Sequence, residues 1–477
     1  MSKVILVIPP QEKFSKGYLP SIGVGCLAAS LERAGYDVKI IDSHIDNLNE
    51  EETVERALRE KPDVIGITAN SHNRFHAIGV ARGIKNKEKG ILVCVGGCHF
   101  SPTAVSVLES VAEIDVVVRG EGEETFLDLL NHYFRQKPFD DVLGITFRKN
   151  QEIINNPSRP FIKNLDDLPM PAWHLFQLDK YETKLEGGED IKAIGVKNSR
   201  GCPYNCSFCV NSDFWKRLFR YHSPKRFIDE VEFLYKNYGY RGFDFWDDTI
   251  TIVRDYIKES CEEILRRKLD IVWYARARVN TVDREILTLM KKAGCRVISF
   301  GVESGSPRIL KNIQKDITIE QVKEVTRICV DLGYIVKLFF MYSHPGETIK
   351  DIQMTRDLML ELKFYGPNVH VLPAFTFIYP GTETETIAKK EGLLPQDFNW
   401  NRPVEFSFNK KIKVNPTIPI YEQKTLKAEE IYSYLNSKKA QLRELVKSIP
   451  LALKGLRNFQ DLKYLLKRGI KYLKRKL

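Results

Sequence analysis

Apolar residues along this chain fall in short continuous runs, and stretches with helical spacing of apolar positions separate them. Residues 3–10 (KVILVIPP) read as a strand buried on both faces and closed by two prolines. SIGVGCLAASLERAG follows as a helix that stops at Gly35. The alternation repeats: strand YDVKIID, helix TVERALREK, strand DVIGITA, a helix around 74–87, strand ILVCVGG, strand IDVVVRG and helix EGEETFLDLLNHYF. Strands separated by single helices predict a parallel, doubly wound α/β sheet over residues 1–135. Such sheets bind ligands beyond the carboxyl ends of their strands. Gly and polar residues gather there: Thr68 to Ser71, Gly96-Gly97 with His99, and Gly120-Glu121-Gly122-Glu123.

The pattern breaks over residues 136–190, a Pro- and Asn-rich linker containing LDDLPMPAWHLF. From Ile191 to about 400 it resumes, with strands at KAIGVKNS, GFDFWDD, IVWYARAR, VISFGVE, IVKLFFMY and NVHVLPAFTF and helices between them. Residues 401–477 depart again: TLKAEEIYSYLNSKKAQLRELVKS is a helix of mixed charge, followed by Pro450 and a basic tail.

Apolar content of 43% and charged content of 28% are those of an ordinary globular chain, large enough at 477 residues for two or three cores. No run of about 18 apolar residues exists to span a membrane. The start of the chain is a strand rather than a signal peptide, so reduced thiols and a cytoplasmic location are expected. The formal charge of +11 is concentrated: residues 451–477 hold nine Lys/Arg and one acid, 9 − 1 = +8. Leu462, Leu465, Leu466, Ile470 and Leu473 recur there at helical spacing. A basic amphipathic helix suits peripheral contact with an anionic membrane surface at the inner face, or packing on the body with a solvated basic side; both readings stand. No nucleic-acid-binding module is recognisable, so nucleic acid is not expected as a partner.

The most specific chemistry lies in Cys202-x-x-x-Cys206-x-x-Cys209, inside a loop that follows the first strand of the second region. Three thiolates so close together suit three irons of a 4Fe-4S cube and leave the fourth iron open. Structural zinc would want a fourth Cys or His, and none stands nearby; His222 is the next His, beyond an aromatic stretch. The other six cysteines are scattered among apolar residues and read as buried small hydrophobes.

The triplet, with Phe208 before its third Cys, resembles the signature of the radical S-adenosylmethionine (radical SAM) superfamily. The resemblance spans roughly residues 1–400 and implies a partial (βα)6 barrel with its chemistry at the strand carboxyl ends. It implies that Cys202, Cys206 and Cys209 hold the cluster and that S-adenosylmethionine binds the open iron. Reductive cleavage would then yield a 5'-deoxyadenosyl radical, with reduced ferredoxin or flavodoxin as electron donor. At the second strand end, Asp247 or Asp248 would meet the ammonium of S-adenosylmethionine; the two are not distinguishable, and capping of the next helix is the competing role. Arg276 and Arg278 end the third strand, where a guanidinium suits a carboxylate or a structural ion pair. SFGVESGSPRIL resembles the family's G-x-E-S-G motif, which implies that Glu303 and Ser304 line the ribose and methionyl groups. MYSHPGET and YPGTE match the loops after the fifth and sixth strands; His344 stands out in the first, with an exposed loop position as the plainer reading.

PSIGVGCLAASLERAGYDV, PDVIGIT, GGCH and GEGEETF resemble the cobalamin-binding domain joined to many radical SAM enzymes. That implies cobalamin contacts by Thr68, Ser71, Gly96, Gly97, His99, Gly120, Glu121 and Glu123. The Asp-x-His-x-x-Gly motif of His-ligating cobalamin modules is missing from the first loop, and Asp42-Ser43-His44 lies after the wrong strand. A dinucleotide fingerprint is missing too, since Gly23-x-Gly25 falls inside a helix pattern.

The expected function is cobalamin-dependent methylation of an unactivated carbon in an apolar or biosynthetic intermediate, with a small-molecule or lipid-like substrate. Two alternatives stand beside it. One is radical cyclisation, oxidation or rearrangement of a lipid or tetrapyrrole-like substrate without methyl transfer. The other is a non-catalytic cobalamin or redox sensor.

Overall fold

In the computed structural model, which describes residues 2–11, 18–181, 184–185, 191–395 and 397–454, two parallel sheets share one continuous core. The first contains β1 (Lys3–Ile8), β2 (Asp37–Asp42), β3 (Val64–Thr68), β4 (Leu92–Gly96) and β5 (Val116–Val118) in the order β2-β1-β3-β4-β5, all parallel. Its inner strands are almost wholly apolar because both faces are covered, while the edge strand β2 carries Asp37, Lys39 and Asp42. Val4, Leu6 and Ile8 join the core shared with the second sheet, while Ile5 and Val7 pack under the helices of the opposite face.

The sheet does not stop at residue 135. Beyond β5 it continues antiparallel through β6 (Ile145–Lys149) and β7 (Glu152–Asn155), inside the stretch expected to be a linker. A tight turn at Asn150-Gln151, both with positive φ, folds ITFRK onto EIIN, and Ile145 and Phe147 enter the core. The connector proper runs on from there and anchors both units through buried Trp173, Phe176 and Tyr181.

The second sheet has the order β15-β14-β13-β12-β11-β8, all parallel, from β8 (Ala193–Val196), β11 (Gly242–Phe245), β12 (Val272–Ala277), β13 (Cys295–Glu303), β14 (Ile335–Tyr342) and β15 (Val369–Phe375). These are the six strands expected from the sequence, closed only part-way into a barrel, since β8 and β15 do not pair. A separate two-stranded ribbon, β9 (Ser199–Arg200) with β10 (Arg220–Tyr221), follows β8. The helices between strands carry their own start and stop signals. Ser223 accepts from the Arg226 amide ahead of Pro224, and Gly239 at φ +69° ends that helix. Thr318/Gln321 and Thr348/Asp351 form capping boxes at two later helices.

After β15 the chain crosses back over the first sheet. Arg74, 1% exposed, donates to the carbonyls of Trp400 (2.7 Å) and Thr417 (2.8 Å), so this segment clasps the two units together. The helix Lys438–Lys454 then packs on the helix Ile349–Lys363 through an Arg356–Glu444 pair at 2.6 Å. No helix among the described residues is long and apolar enough to cross a membrane. The basic tail from residue 455 onward lies outside the described residues.

Candidate active site

Ribbon β9–β10 closes the neck of a loop, residues 201–219, that carries all three cysteines of the triplet. Gly201 at φ +88° begins it, and a Cβ there would lie 1.9 Å from the Leu218 carbonyl, so the neck requires glycine. Cys206 is buried and Cys202 and Cys209 are half-buried, all as free thiols. Burial pushes the Cys209 thiol up to about 12 and raises Cys202 as well. Thiols in such surroundings ionise when a metal supplies the compensating charge. No three His, Cys, Asp or Glu side chains among the described residues converge as one metal ion would require. Thiolates that each take a different iron of a cube need no such convergence, and the donor set therefore fits a 4Fe-4S cluster with one open iron.

The loop sits over the carboxyl ends of the barrel strands. Arg278, 5% exposed, lies with its guanidinium 3.6 Å from the Tyr204 ring centre and directs Nη1 at Cys206 Sγ, 3.6 Å away. It is held by the Lys315 carbonyl and by Asn280 Oδ1 at 3.3 Å. A cationic donor on a cluster thiolate favours the reduced cluster. Arg276, two residues earlier on the concave face, is engaged by Asp244 through both ends of the fork, at 2.5 and 3.1 Å. Of the two roles read for Arg276, the ion pair is the one formed here, because Asp244 on β11 faces it directly.

The two adjacent aspartates prove distinct. Asp247 is fully buried and accepts from the Ser199 amide at 2.6 Å and from the Ser199 hydroxyl, which fixes the chain just before the cysteine loop. Burial pushes its carboxyl up to about 6. Asp248 faces the cysteines instead, and its Oδ2 finds no partner among the described residues. Neither caps a helix, since the next one begins at Arg254 after Val253.

Glu303 and Lys315 form a buried pair at 2.8 Å, each side chain 8% exposed. Glu303 takes φ +68° and Ser343, at the end of β14, takes φ +70°. Two non-glycine residues in the left-handed region at neighbouring strand ends mark strain held in the site. Ser304 is fully buried and hydrogen-bonded to Thr355 Oγ1 at 3.1 Å, so its side chain secures the turn. His344 is fully buried rather than exposed, because the Tyr421 segment covers the loop from above. Its ring lies 6.2 Å from that of Phe208, its Nδ1 is 3.2 Å from Thr376 Oγ1, and Nε2 has no partner among the described residues. Burial holds its imidazole down to about 4, so it is neutral.

A cavity of ≈ 290 Å³ lies where the first sheet's strand ends meet the neck of the loop. Leu6, Gly66, Thr68, Gly96, Gly97, Gly120, Glu121 and Glu123 line it from one side, and Lys197, Asn198, Arg200, Trp215 and His222 from the other. A Cβ on Gly23 or Gly120 would meet nothing within 4 Å, so these glycines leave open space that side chains would fill. Asn198 is 1% exposed and both its amide atoms lack partners among the described residues. An apolar, glycine-walled recess with an unpaired buried amide fits part of a large rigid cofactor such as cobalamin. Ser71 and His99, expected among its contacts, lie elsewhere. His99 Nδ1 is 3.0 Å from Ser71 Oγ, both are buried, and Trp400 packs against the His99 ring. Asp42 accepts from the His44 and Ile45 amides and from the Tyr181 hydroxyl at 2.7 Å, which makes Asp42-Ser43-His44 a structural turn. The barrel-side residues Lys197, Asn198, Arg200, Trp215 and His222 were not anticipated, as nothing local in the sequence points them at another domain.

Comparison with known proteins gives a consistent picture. Residues 196–359 match the model of the radical SAM superfamily, and residues 15–130 that of the B12 binding domain. An uncharacterized methyltransferase of Pyrococcus horikoshii is 33% identical over 405 residues, 84% of this chain and 86% of that one. The anaerobic magnesium-protoporphyrin IX monomethyl ester cyclase of Rubrivivax gelatinosus is 31% identical over 347 residues, 71% of this chain and 61% of that longer protein. Among solved structures, the cobalamin-dependent S-adenosylmethionine radical enzyme OxsB with aqua-cobalamin bound superposes with a TM-score of 0.72 at 17% identity, over 99% of this chain and 75% of that one, a likeness of fold.

Proposed function

The chain belongs to the radical SAM superfamily and joins a B12 binding domain to its barrel, and on that footing we propose that it methylates an unactivated carbon of an apolar biosynthetic intermediate. It is an enzyme of the cobalamin-dependent methyltransferase and cyclase group, with a 4Fe-4S cluster, S-adenosylmethionine and cobalamin as cofactors. When bound, the cluster supplies the electron that cleaves S-adenosylmethionine and cobalamin supplies a methyl carrier.

The observation that carries the reading is the position of the glycine-walled cavity, directly against the neck of the cysteine loop. Methyl transfer to a substrate radical needs both cofactors at one substrate, and a cavity bounded by both units supports that. Cys202, Cys206 and Cys209 would hold the cluster, with Arg278 donating to Cys206. Asp248 offers an unpaired carboxylate to the ammonium of S-adenosylmethionine. Glu303, set by Lys315, is placed for hydroxyl groups, and Phe208 with neutral His344 closes that side. Thr68, Gly96, Gly97, Gly120, Glu121 and Glu123 would border the corrinoid.

The concave barrel face supports an apolar substrate. On β12, Trp273 and Ala275 enter the helix-covered core, so Tyr274 and Arg276 face inward, and Lys337 lies over the Tyr274 ring. By the same alternation Phe339 and its registered partner Leu372 face the lumen. Trp246, Phe339 and Leu372 remain 47%, 40% and 39% exposed, an unusual exposure for large apolar groups inside a barrel. Cyclisation without methyl transfer is the second reading, favoured by the cyclase relative.

One incubation separates the two. Anaerobic protein with reductant, S-adenosyl-[methyl-²H₃]methionine and candidate substrates yields 5'-deoxyadenosine and S-adenosylhomocysteine in equal amounts, with label in the product, if it methylates. 5'-Deoxyadenosine without S-adenosylhomocysteine selects the cyclase-type reading. Reduced ferredoxin or flavodoxin would serve as physiological electron donor.

A further inference from the structure

The neck of the cysteine loop is held shut from the other domain. β9 and β10 pair over two residues each, Ser199–Arg200 with Arg220–Tyr221. A two-stranded ribbon so short is not stable alone. Both of its arginines reach across to the first residues of the helix Gly122–Phe134 and the residue before it. Arg200 donates to Glu121 at 2.7 Å and to Glu123 at 2.5 Å, and Arg220 Nη1 donates to both Glu121 oxygens at 3.0 and 2.9 Å. The remaining bonds of the knot come from the connector: Ile162 donates its amide to Glu121 Oε2 at 2.8 Å and accepts from Arg220 at 2.6 Å.

This knot is neutral, two guanidinium and two carboxylate groups, and every one of the four side chains is at most 14% exposed. Arg220 Nε and Nη2 have no hydrogen-bond partner among the described residues and its guanidinium lies over the Phe161 and Trp215 rings, so Glu121 is the carboxylate that balances its charge. Glu121, Glu123 and Arg200 also line the cavity. They touch the corrinoid space on one side and the strand entering Cys202 on the other.

We propose that Glu121 is a positioning residue for the iron–sulfur loop, which senses occupancy of the cavity and transmits it through Arg200 and Arg220 to the strands flanking the three cysteines. A cofactor group that displaces water from the cavity lowers the dielectric around the ion pairs and strengthens them. The neck tightens and the cysteines are held in the geometry the cluster needs. Linkage then requires the converse: a loop fixed by its cluster binds cobalamin more tightly by the same factor. The inference rests on the two cofactors and is independent of methyl transfer, since an enzyme that cyclised its substrate would show the same coupling.

The test is the hydroxocobalamin Kd of the full chain, by difference absorbance under anaerobic conditions, with the cluster reconstituted and with the cluster removed. Wild type is expected to bind about fivefold or more tightly with the cluster in place. In Glu121→Gln, which keeps the shape and removes the charge, that ratio falls to one while cobalamin still binds. The EPR line shape of the reduced cluster should change on adding cob(I)alamin, which is diamagnetic and leaves the cluster reduced, in wild type and not in Glu121→Gln, a signature that a purely structural role would not produce. Should Glu121→Gln fail to fold, Glu121→Asp retains the charge with a shorter reach and is expected to lower the ratio in part. A wild-type ratio of one, an unchanged ratio in a folded Glu121 variant, or no cobalamin binding would each overturn the proposal.

Discussion

The strand ends of the two parallel sheets solve opposite problems. In the first sheet the ends are mostly glycine, and the site is a recess created by missing side chains. In the barrel the ends carry charged side chains already held by partners: Arg276 by Asp244, Glu303 by Lys315, Asp247 by Ser199. A glycine-walled recess with few free polar groups, chiefly the Asn198 amide, selects largely by shape and suits a large rigid group. A ring of paired charges, with one carboxylate left over at Asp248, selects a small zwitterion by its charges and keeps its own geometry when the ligand leaves.

That contrast can be broken at the barrel first. Cys202→Ala should abolish 5'-deoxyadenosine formation under dithionite, while cobalamin still binds the first sheet; full retention of turnover would remove the cluster assignment. The next largest effect is expected on the glycine side. Gly23 lies in a helix with open cavity beyond it, so Gly23→Leu improves helix propensity by up to about 1 kcal/mol. A Cβ there meets open space, so the side chain competes with the ligand rather than with the core. Cobalamin affinity should fall about tenfold to a hundredfold, roughly 1.4–2.8 kcal/mol of binding, with an equal or higher melting temperature and unchanged iron content when the cluster is reconstituted without cobalamin. Loss of iron instead would show that the two sites are not separable by shape and charge.

A smaller effect sharpens the barrel side. Asp248→Asn should weaken S-adenosylmethionine binding several-fold without altering melting. Asp247→Asn should leave S-adenosylmethionine binding unchanged and, because burial pushes that carboxyl up to about 6, should gain in melting temperature relative to wild type between about pH 4 and pH 7.5. A reversed pattern in equilibrium dialysis and thermal melts would exchange the two roles. The smallest effect is a pH dependence beneath the site. Burial pushes Glu347 up to about 8 from an ordinary value of 4.5. The folded protein therefore keeps a proton that the unfolded chain releases, and this stability is intact below pH 4.5 and lost as pH rises through about 8. Glu347→Gln should match wild type in melting temperature at pH 5 and exceed it at pH 8.5.

The alternation of apolar runs and helical periods revealed both sheets, all six barrel strands and the loop carrying Cys202, Cys206 and Cys209, because strand burial and cluster ligation are local in sequence. What the sequence hid depends on distant partners. β6 and β7 looked like linker because Pro and Asn surround them. His99 ends a strand as a ligand would, and only Trp400 shows that it is sealed into the core. Asp247 and Asp248 are neighbours in sequence, yet alternation along an extended chain sends them to different partners. The buried state of His344 and the bond from Arg278 to Cys206 depend on segments dozens of residues away.

The direction of the knot at the loop neck also sets an order of assembly. Glu121 and Glu123 precede Arg200 and Arg220 in the chain, and domains fold as they emerge during synthesis, amino-terminal first. The acidic half thus leaves the ribosome ahead of the cysteine loop. A loop clamped at its neck by residues made before it would present its three thiols at a fixed spacing to an incoming cluster rather than on a free strand.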